Sequence, residues 1–186
     1  MILRPHIRGP RLALRAARPE DAPYLHALRT DPALSGHLPP TEGGIGALAA
    51  CLRDGPARER RGESACYVIS YGRRDIGTVQ LSDLDRRRFT WGGRVLEPHG
   101  TPPGAALEVA LLIYRLGFGE AFKREAIFDV RRDDADAIAF HDAFGAARAA
   151  ENAINVYYRL DAVTWRERAP DLWRTVEAEA RAVTAA

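Results

Sequence analysis

A small set of side chains in this sequence could move protons at neutral pH. Of the five histidines, His6, His26 and His37 stand alone, His99 follows Pro98, and His141 lies between Phe140 and Asp142. Imidazole titrates near neutrality, so it can act as acid or base when a reacting atom comes within hydrogen-bond reach. Asp83, Asp85, Glu97 and His99 fall near expected strand ends, where a cleft could use one of them as a base. Glu97 interrupts an apolar strand end and ranks first among them. No histidine or cysteine has ligand spacing, so no metal is expected. Cys51 and Cys66 read as small buried apolar groups, not nucleophiles. Gly43-Gly44-Ile45-Gly46 imitates a phosphate loop, but Pro39-Pro40 stands where a preceding strand is required. Arg86-Arg87-Arg88 has two readings, a grip for phosphate and a solvated hairpin tip, of which the tip is simpler.

These groups need elements to position them. Leu12 and Leu14 alternate as in a half-buried strand within Arg11 to Arg18. Pro19, Glu20 and Asp21 then open a helix that reaches about Arg29 and stops at Asp31-Pro32. Ser35 to Asp54 reads as a loop and a short second helix over Ile45 to Leu52, and Pro56 to Gly62 as a solvated connector. Ala65–Tyr71, Asp75–Ser82 and Phe89–Leu96 form an antiparallel meander, its first two strands joined at Gly72-Arg73-Arg74. The helix from Gly104 to Phe118 places Leu107, Ala110, Leu111, Tyr114 and Phe118 on one face. Ala126–Val130 is an interior strand and Ala135–Phe144 a helix that Gly145 ends. Ala146–Glu151 and Ile154–Leu160 close the sheet, and Pro170–Val183 forms an exposed tail helix. The order implies a mixed sheet with helices on its faces and chemistry at its strand ends.

Composition narrows the function. The chain has 186 residues, 46% hydrophobic and 28% charged, enough for one domain with a single core over about 12–160 and a tail over about 161–186. A net charge of +2 argues against nucleic acid as the partner. Lys123 is the only lysine, so the remaining cations are arginines, suited to fixed ion pairs. No apolar run reaches membrane-span length, and the start does not read as a secretory signal, so a cytoplasmic location and no membrane partner are expected.

Two segments carry a family resemblance. Val95 to Glu108 (V-L-E-P-H-G-T-P-P-G-A-A-L-E) and Asp129 to Ala146 (D-V-R-R-D-D-A-D-A-I-A-F-H-D-A-F-G-A) occur in an element order that resembles the GCN5-related N-acetyltransferases, over about Leu12 to Leu160. That family ends a strand in an apolar triplet, then Pro, then arginine or glutamine, two residues, glycine, one residue, and glycine or alanine opening a helix. Here Val95, Leu96 and Glu97 form the triplet, Pro98 follows, and Gly104 and Ala106 match the small positions. Thr101, Pro102 and Pro103 depart from the pattern. In the second segment Ala137 and Ile138 match, Asp134 replaces an asparagine, His141 takes an aromatic position and Ala146 replaces phenylalanine.

The resemblance implies an α/β fold: a mixed, mostly antiparallel sheet of about seven strands with helices on both faces. It implies acetyl-CoA as co-substrate, held by Val95, Leu96, Glu97, Thr101, Gly104, Ala105, Ala106, Asp134 and Phe140. The physical basis of such a loop is that unpaired amides and the dipole of a helix start attract diphosphate. Pro102 and Pro103 have no N–H to donate, which predicts weaker coenzyme binding. His141 stands where relatives place a thiolate-facing tyrosine and is the expected acid, with a capped core or surface histidine as the bland alternative. Glu97 is the expected base, and a water relay could replace it. Gly92-Gly93 fits a bulge that parts the sheet, with a merely loosened strand edge as the alternative. Glu108, in the first turn of the main helix, is expected to be structural.

The expected reaction moves acetyl from acetyl-CoA to a primary amine, by direct attack on the thioester, on a small metabolite such as an amino sugar. Capping of protein N-termini is one alternative, and a non-catalytic acyl-coenzyme A binder with the same fold is another. Trp165 and Trp173 in the tail have two readings, an anchor for a homodimer contact and a simple cover for the sheet.

Overall fold

The computed structural model describes residues 3–35, 43–85 and 87–184. The expected loop at Pro39-Pro40, with His37 and Arg86, lies outside the described residues. Eight strands form one sheet: β1 (His6–Arg8), β2 (Leu12–Ala16), β3 (Ser64–Tyr71), β4 (Arg74–Ser82), β5 (Arg88–Leu96), β6 (Glu125–Arg131), β7 (Ala147–Glu151) and β8 (Asn155–Asp161). Their spatial order is β1-β2-β3-β4-β5-β6-β8-β7, antiparallel throughout except between β5 and β6. The strand not foreseen is β1, three residues long, in which only Ile7 is buried, too little for a visible alternation.

Helices α1 (Ala22–Thr30), α2 (Pro32–Ser35), α3 (Ile45–Arg53) and α4 (Gly55–Arg60) intervene between β2 and β3. The α4 turn replaces the expected connector: Pro56 suits a first helical turn, and Asp54 begins the turn with its carbonyl accepting from Arg58. Ala22, Leu25 and Leu28 of α1 and Leu52 of α3 pack with Val68 and Val95 on one face of the sheet. The other face carries α5 (Ala105–Tyr114), α6 (Ala135–Phe144) and α7 (Ala162–Thr184), which enclose the larger core.

Three details of that second face set up the site. The expected long helix is α-helical only to Tyr114 and continues as a π-helical turn over Arg115–Glu120. Gly117 in this turn lies so close to Phe89 that any Cβ would overlap the ring. Glu108, with no exposure, accepts the amides of Arg11 (2.9 Å) and Leu12 (2.8 Å) and the Nε of Arg11 (3.0 Å), locking α5 to β2 as the structural reading anticipated. The tail helix begins eight residues earlier than expected and runs through Pro170. Asp161 accepts the amides of Val163 and Thr164 at its start, and Trp165, Ala169 and Val176 form a buried stripe. That burial outweighs the roughly 3 kcal/mol penalty of an interior proline.

Candidate active site

The sheet is held together at its centre by very little. Arg88 and Phe89 of β5 pair with Glu125 and Ala126 of β6, and there the parallel ladder ends. On the other side of β5, Thr78 pairs with Val95 and Gln80 with Gly92, so Gly93 and Arg94 together oppose Val79. This is the bulge that Gly92-Gly93 suggested, and Gly93 has φ +58°, a conformation that favours glycine. Beyond the bulge β5 bends away from β6. The gap is a cavity of about 400 Å³ whose wall includes Gly92, Gly93, Arg94, Phe128, Asp129, Asp134, Ala137 and His141.

Strand alternation divides the wall. Phe89 and Trp91 of β5, and Ala126, Phe128 and Val130 of β6, are buried towards α5 and α6. Thr90, Asp129 and Arg131 belong to the opposite face, with Gln80 and Ser82 of β4. Arg29 of α1 donates to the Gln80 amide oxygen at 3.2 Å, so α1 borders this second half.

His141 lies in the first half within an aromatic box, its ring centroid 4.4 Å from that of Phe128, 5.1 Å from Phe140, 5.7 Å from Tyr158 and 5.8 Å from Trp91. Its Nδ1 is buried with no hydrogen-bond partner. Burial, with help from the Arg94 charge, lowers its pKa to about 4. The ring is therefore neutral at pH 7, a hydrogen-bonding group and not a stored proton. The turn that carries it is fixed by Asp142, which accepts from the Tyr158 hydroxyl at 3.0 Å and pairs with Arg148. Asp134 caps α6 by accepting the Ala137 amide at 2.9 Å, and Phe140 lies under the Arg94 guanidinium, 5.8 Å from ring centroid to Cζ.

The base candidates read from sequence do not meet in this cavity. Glu97 forms an ion pair with Arg74 at 2.6 Å, and its amide donates to the Ile76 carbonyl at 2.9 Å. The Tyr24 hydroxyl is buried near that carboxylate, and burial raises its pKa. His99 is in an exposed turn. Asp83 and Asp85 lie in the turn at the opposite end of β5, where Asp85 accepts the amides of Arg87 and Arg88 at 2.6 Å each. Asp129, by contrast, lines the cavity and has no hydrogen-bonding or ion-pair partner among the described residues. Sequence reading missed it, although its place between buried Phe128 and buried Val130 marks it as the outward residue of β6.

Of the residues proposed for the coenzyme, Asp134 lines the cavity and Phe140 packs against Arg94 on the α6 side, whereas Val95 to Ala106 follow the bulge along the end of β5 and into α5, outside the cavity wall. The Glu97 bond to β4 and antiparallel alternation turn the amide of Leu96 towards the gap and those of Val95 and Glu97 towards β4. Thr101 donates to the Glu97 carbonyl and closes the turn before α5. Gly104 has φ +73° and leads into Ala105 and Ala106 at the helix start. Arg11 donates to the Pro103 carbonyl at 2.7 Å and to Glu179 at 3.2 Å, and these two side chains fill the space beside Gly104. Among the described residues no group of three or more His, Cys, Asp or Glu could hold a metal ion, and no helix is long and apolar enough to cross a membrane.

The site thus combines a bulged strand that parts from its parallel neighbour with a small-residue helix start. No family model and no curated protein matches the sequence. Solved structures do. Apo FdhC, described as a nucleotide-linked sugar GNAT, is 29% identical with a TM-score of 0.77, covering 87% of this chain and 93% of that one. RimJ of Mycobacterium smegmatis, in complex with CoA-disulfide, is 15% identical with a TM-score of 0.73, covering 94% and 93%. Spermidine N-acetyltransferase of Vibrio cholerae, in complex with CoA and spermine, is 14% identical with a TM-score of 0.71, covering 84% and 98%. The chain belongs to the GCN5-related N-acetyltransferase superfamily.

Proposed function

We propose that this protein transfers acetyl from acetyl-CoA to a primary amine of a nucleotide-linked amino sugar. The observation that carries the transfer is the gap itself: a cavity that joins both faces of the sheet at a point where backbone amides are left without strand partners. A thioester can enter from the α5–α6 side and an amine from the side of Gln80, Thr90 and Asp129. The choice of acceptor rests on FdhC, which matches over most of both chains.

Acetyl-CoA, when bound, supplies the activated acyl group. Leu96 presents its amide to the pantetheine arm, and Ala106 leaves room for the diphosphate at the start of α5, whereas the space beside Gly104 is taken by Glu179 and Arg11 and Ala105 is buried. Val95, Glu97 and Thr101 hold that edge in shape, Asp134 lines the α6 side, and Phe140 backs Arg94 there. Asp129 takes the proton of the attacking amine, the role first assigned to Glu97. His141, neutral, is a hydrogen-bond donor to the sulfur side of the reaction and not a source of a free proton.

Release of coenzyme A thiol over a panel of amines tests this reading. Expected is turnover that is fastest with a nucleotide-linked amino sugar, and slower with spermidine and with a peptide bearing a free N-terminus. Faster turnover of the peptide or the polyamine overturns the acceptor assignment, and no release above background with any amine overturns catalysis. Pro102 and Pro103, which withdraw two amides from the diphosphate loop, are the observation that favours a non-catalytic binder in that last case.

A further inference from the structure

Arg94 occupies the bulge, lines the cavity and is half-buried, with its guanidinium against the Phe140 ring. It has no hydrogen bond and no carboxylate within ion-pair distance among the described residues. A guanidinium carries five donors and stays protonated, so burying one without partners is costly unless an anion arrives to meet it. Among the described residues, the other titratable and charged groups around the same cavity are Asp129 and Arg131 on β6, Asp134 at the cap of α6, His141 on α6, and Arg29 of α1, which borders the opposite half and donates to Gln80. Of these, Arg131 is paired with Asp133 at 2.6 Å and Asp134 is committed to its cap, while His141 is neutral. Among the described residues, Arg94 is thus the unpaired cation on the α6 side of the cavity.

Resting on the acetyl-transfer reading, we propose that Arg94 is a catalytic residue that receives the negative charge of the departing coenzyme A thiolate. In the transfer, the amine nitrogen forms a bond to the acetyl carbon and the carbon–sulfur bond breaks. Its electron pair leaves on sulfur, and the amine proton passes to Asp129 or to water. The thiolate is the new charge of this step, and it arises beside a histidine that holds no proton to give. A fixed cation aimed at charge that develops only during reaction speeds the step without tightening the ground state.

The test uses the full chain and its Arg94→Gln and Arg94→Lys variants, with coenzyme A and desulfo-coenzyme A as probes in calorimetric titrations across pH. Arg94 should lower the pKa of the bound thiol by about one to three units, seen as a pH-dependent preference for coenzyme A over desulfo-coenzyme A. Arg94→Gln should abolish that preference and Arg94→Lys should keep part of it. In turnover, Arg94→Gln should lower kcat by about 10²- to 10³-fold with little change in KM. An identical thiol titration in wild type and Arg94→Gln overturns the proposal. So does an equal loss of affinity for both probes, which would place Arg94 on the diphosphate. Failure of the acetyl-transfer reading shows separately, as absent thiol release by the wild type, because the two-probe titration needs binding alone.

Discussion

His141 and Asp129 show how neighbours decide what a residue type can do. His141 is buried among four rings at the cavity wall, and its folded pKa of about 4 lies below the ordinary 6.5. The unfolded chain therefore binds a proton that the folded chain refuses, and stability falls as pH drops through that interval, by up to about 1.4 kcal/mol per pH unit. His141→Phe, which keeps the aromatic box filled, should lose less stability than wild type between roughly pH 6.5 and 4, as read from urea unfolding at several pH values. An equal slope in both proteins would contradict the neutral assignment. Asp129→Asn should lower kcat/KM by about 10²-fold or more while leaving the unfolding midpoint nearly unchanged, since its carboxylate supports no contact in the fold. Glu97→Gln should cost far less activity, because its carboxylate is engaged by Arg74. The sequence made His141 visible through its place in a helix pattern. Asp129 was hidden because a lone outward carboxylate on a strand looks like any solvated residue until the opposing strand is seen to leave.

Elements were legible wherever periodicity ran long and illegible where a single contact decided the matter. The meander, α5 and α6 follow from alternation and helical spacing. The π-helical end of α5 does not, since it depends on Gly117 meeting Phe89, a residue on another element. Gly117→Ala must push that ring away and should destabilise the fold by about 1–3 kcal/mol in chemical denaturation. The start of α7 before Pro170 was equally hidden, because the packing of Trp165 against Tyr114 and Phe144 overrides a local breaker. Glu108 shows the reverse case. Its place in the first turn suggested a dipole contact, and the structure adds a buried partner, Arg11, whose side chain is only 5% exposed. Glu108→Ala strands that cation and should cost about 3–5 kcal/mol, measured by urea unfolding; a loss below 1 kcal/mol would show that Glu179 alone compensates.

At the scale of the molecule, the sheet is two blades, β1 to β5 and β6-β8-β7, joined by two residue pairs and by the helices packed across them. Class and layer order could be read from the sequence. The shortness of the join could not, because it is a property of two distant segments and of the bulge between them. A coenzyme spanning the gap binds both blades, so it should stabilise the whole fold, by about 2.7 kcal/mol at a concentration 100 times its Kd. A thermal-shift titration that saturates with no rise in Tm would contradict binding between the blades. The proline-bearing loop should make that Kd weaker than in relatives whose loop donates every amide.

The two-pair join also has a kinetic consequence. Backbone amides of the interior strands of a continuous sheet exchange with solvent deuterium only when much of the domain opens. Here the amides of β5 and β6 beyond Phe89 and Ala126 that face the gap are protected by no ladder, so they should exchange early although they lie at the geometric middle of the molecule. The slowest exchange should instead come from β3 and β4, which are paired with a neighbouring strand on both sides.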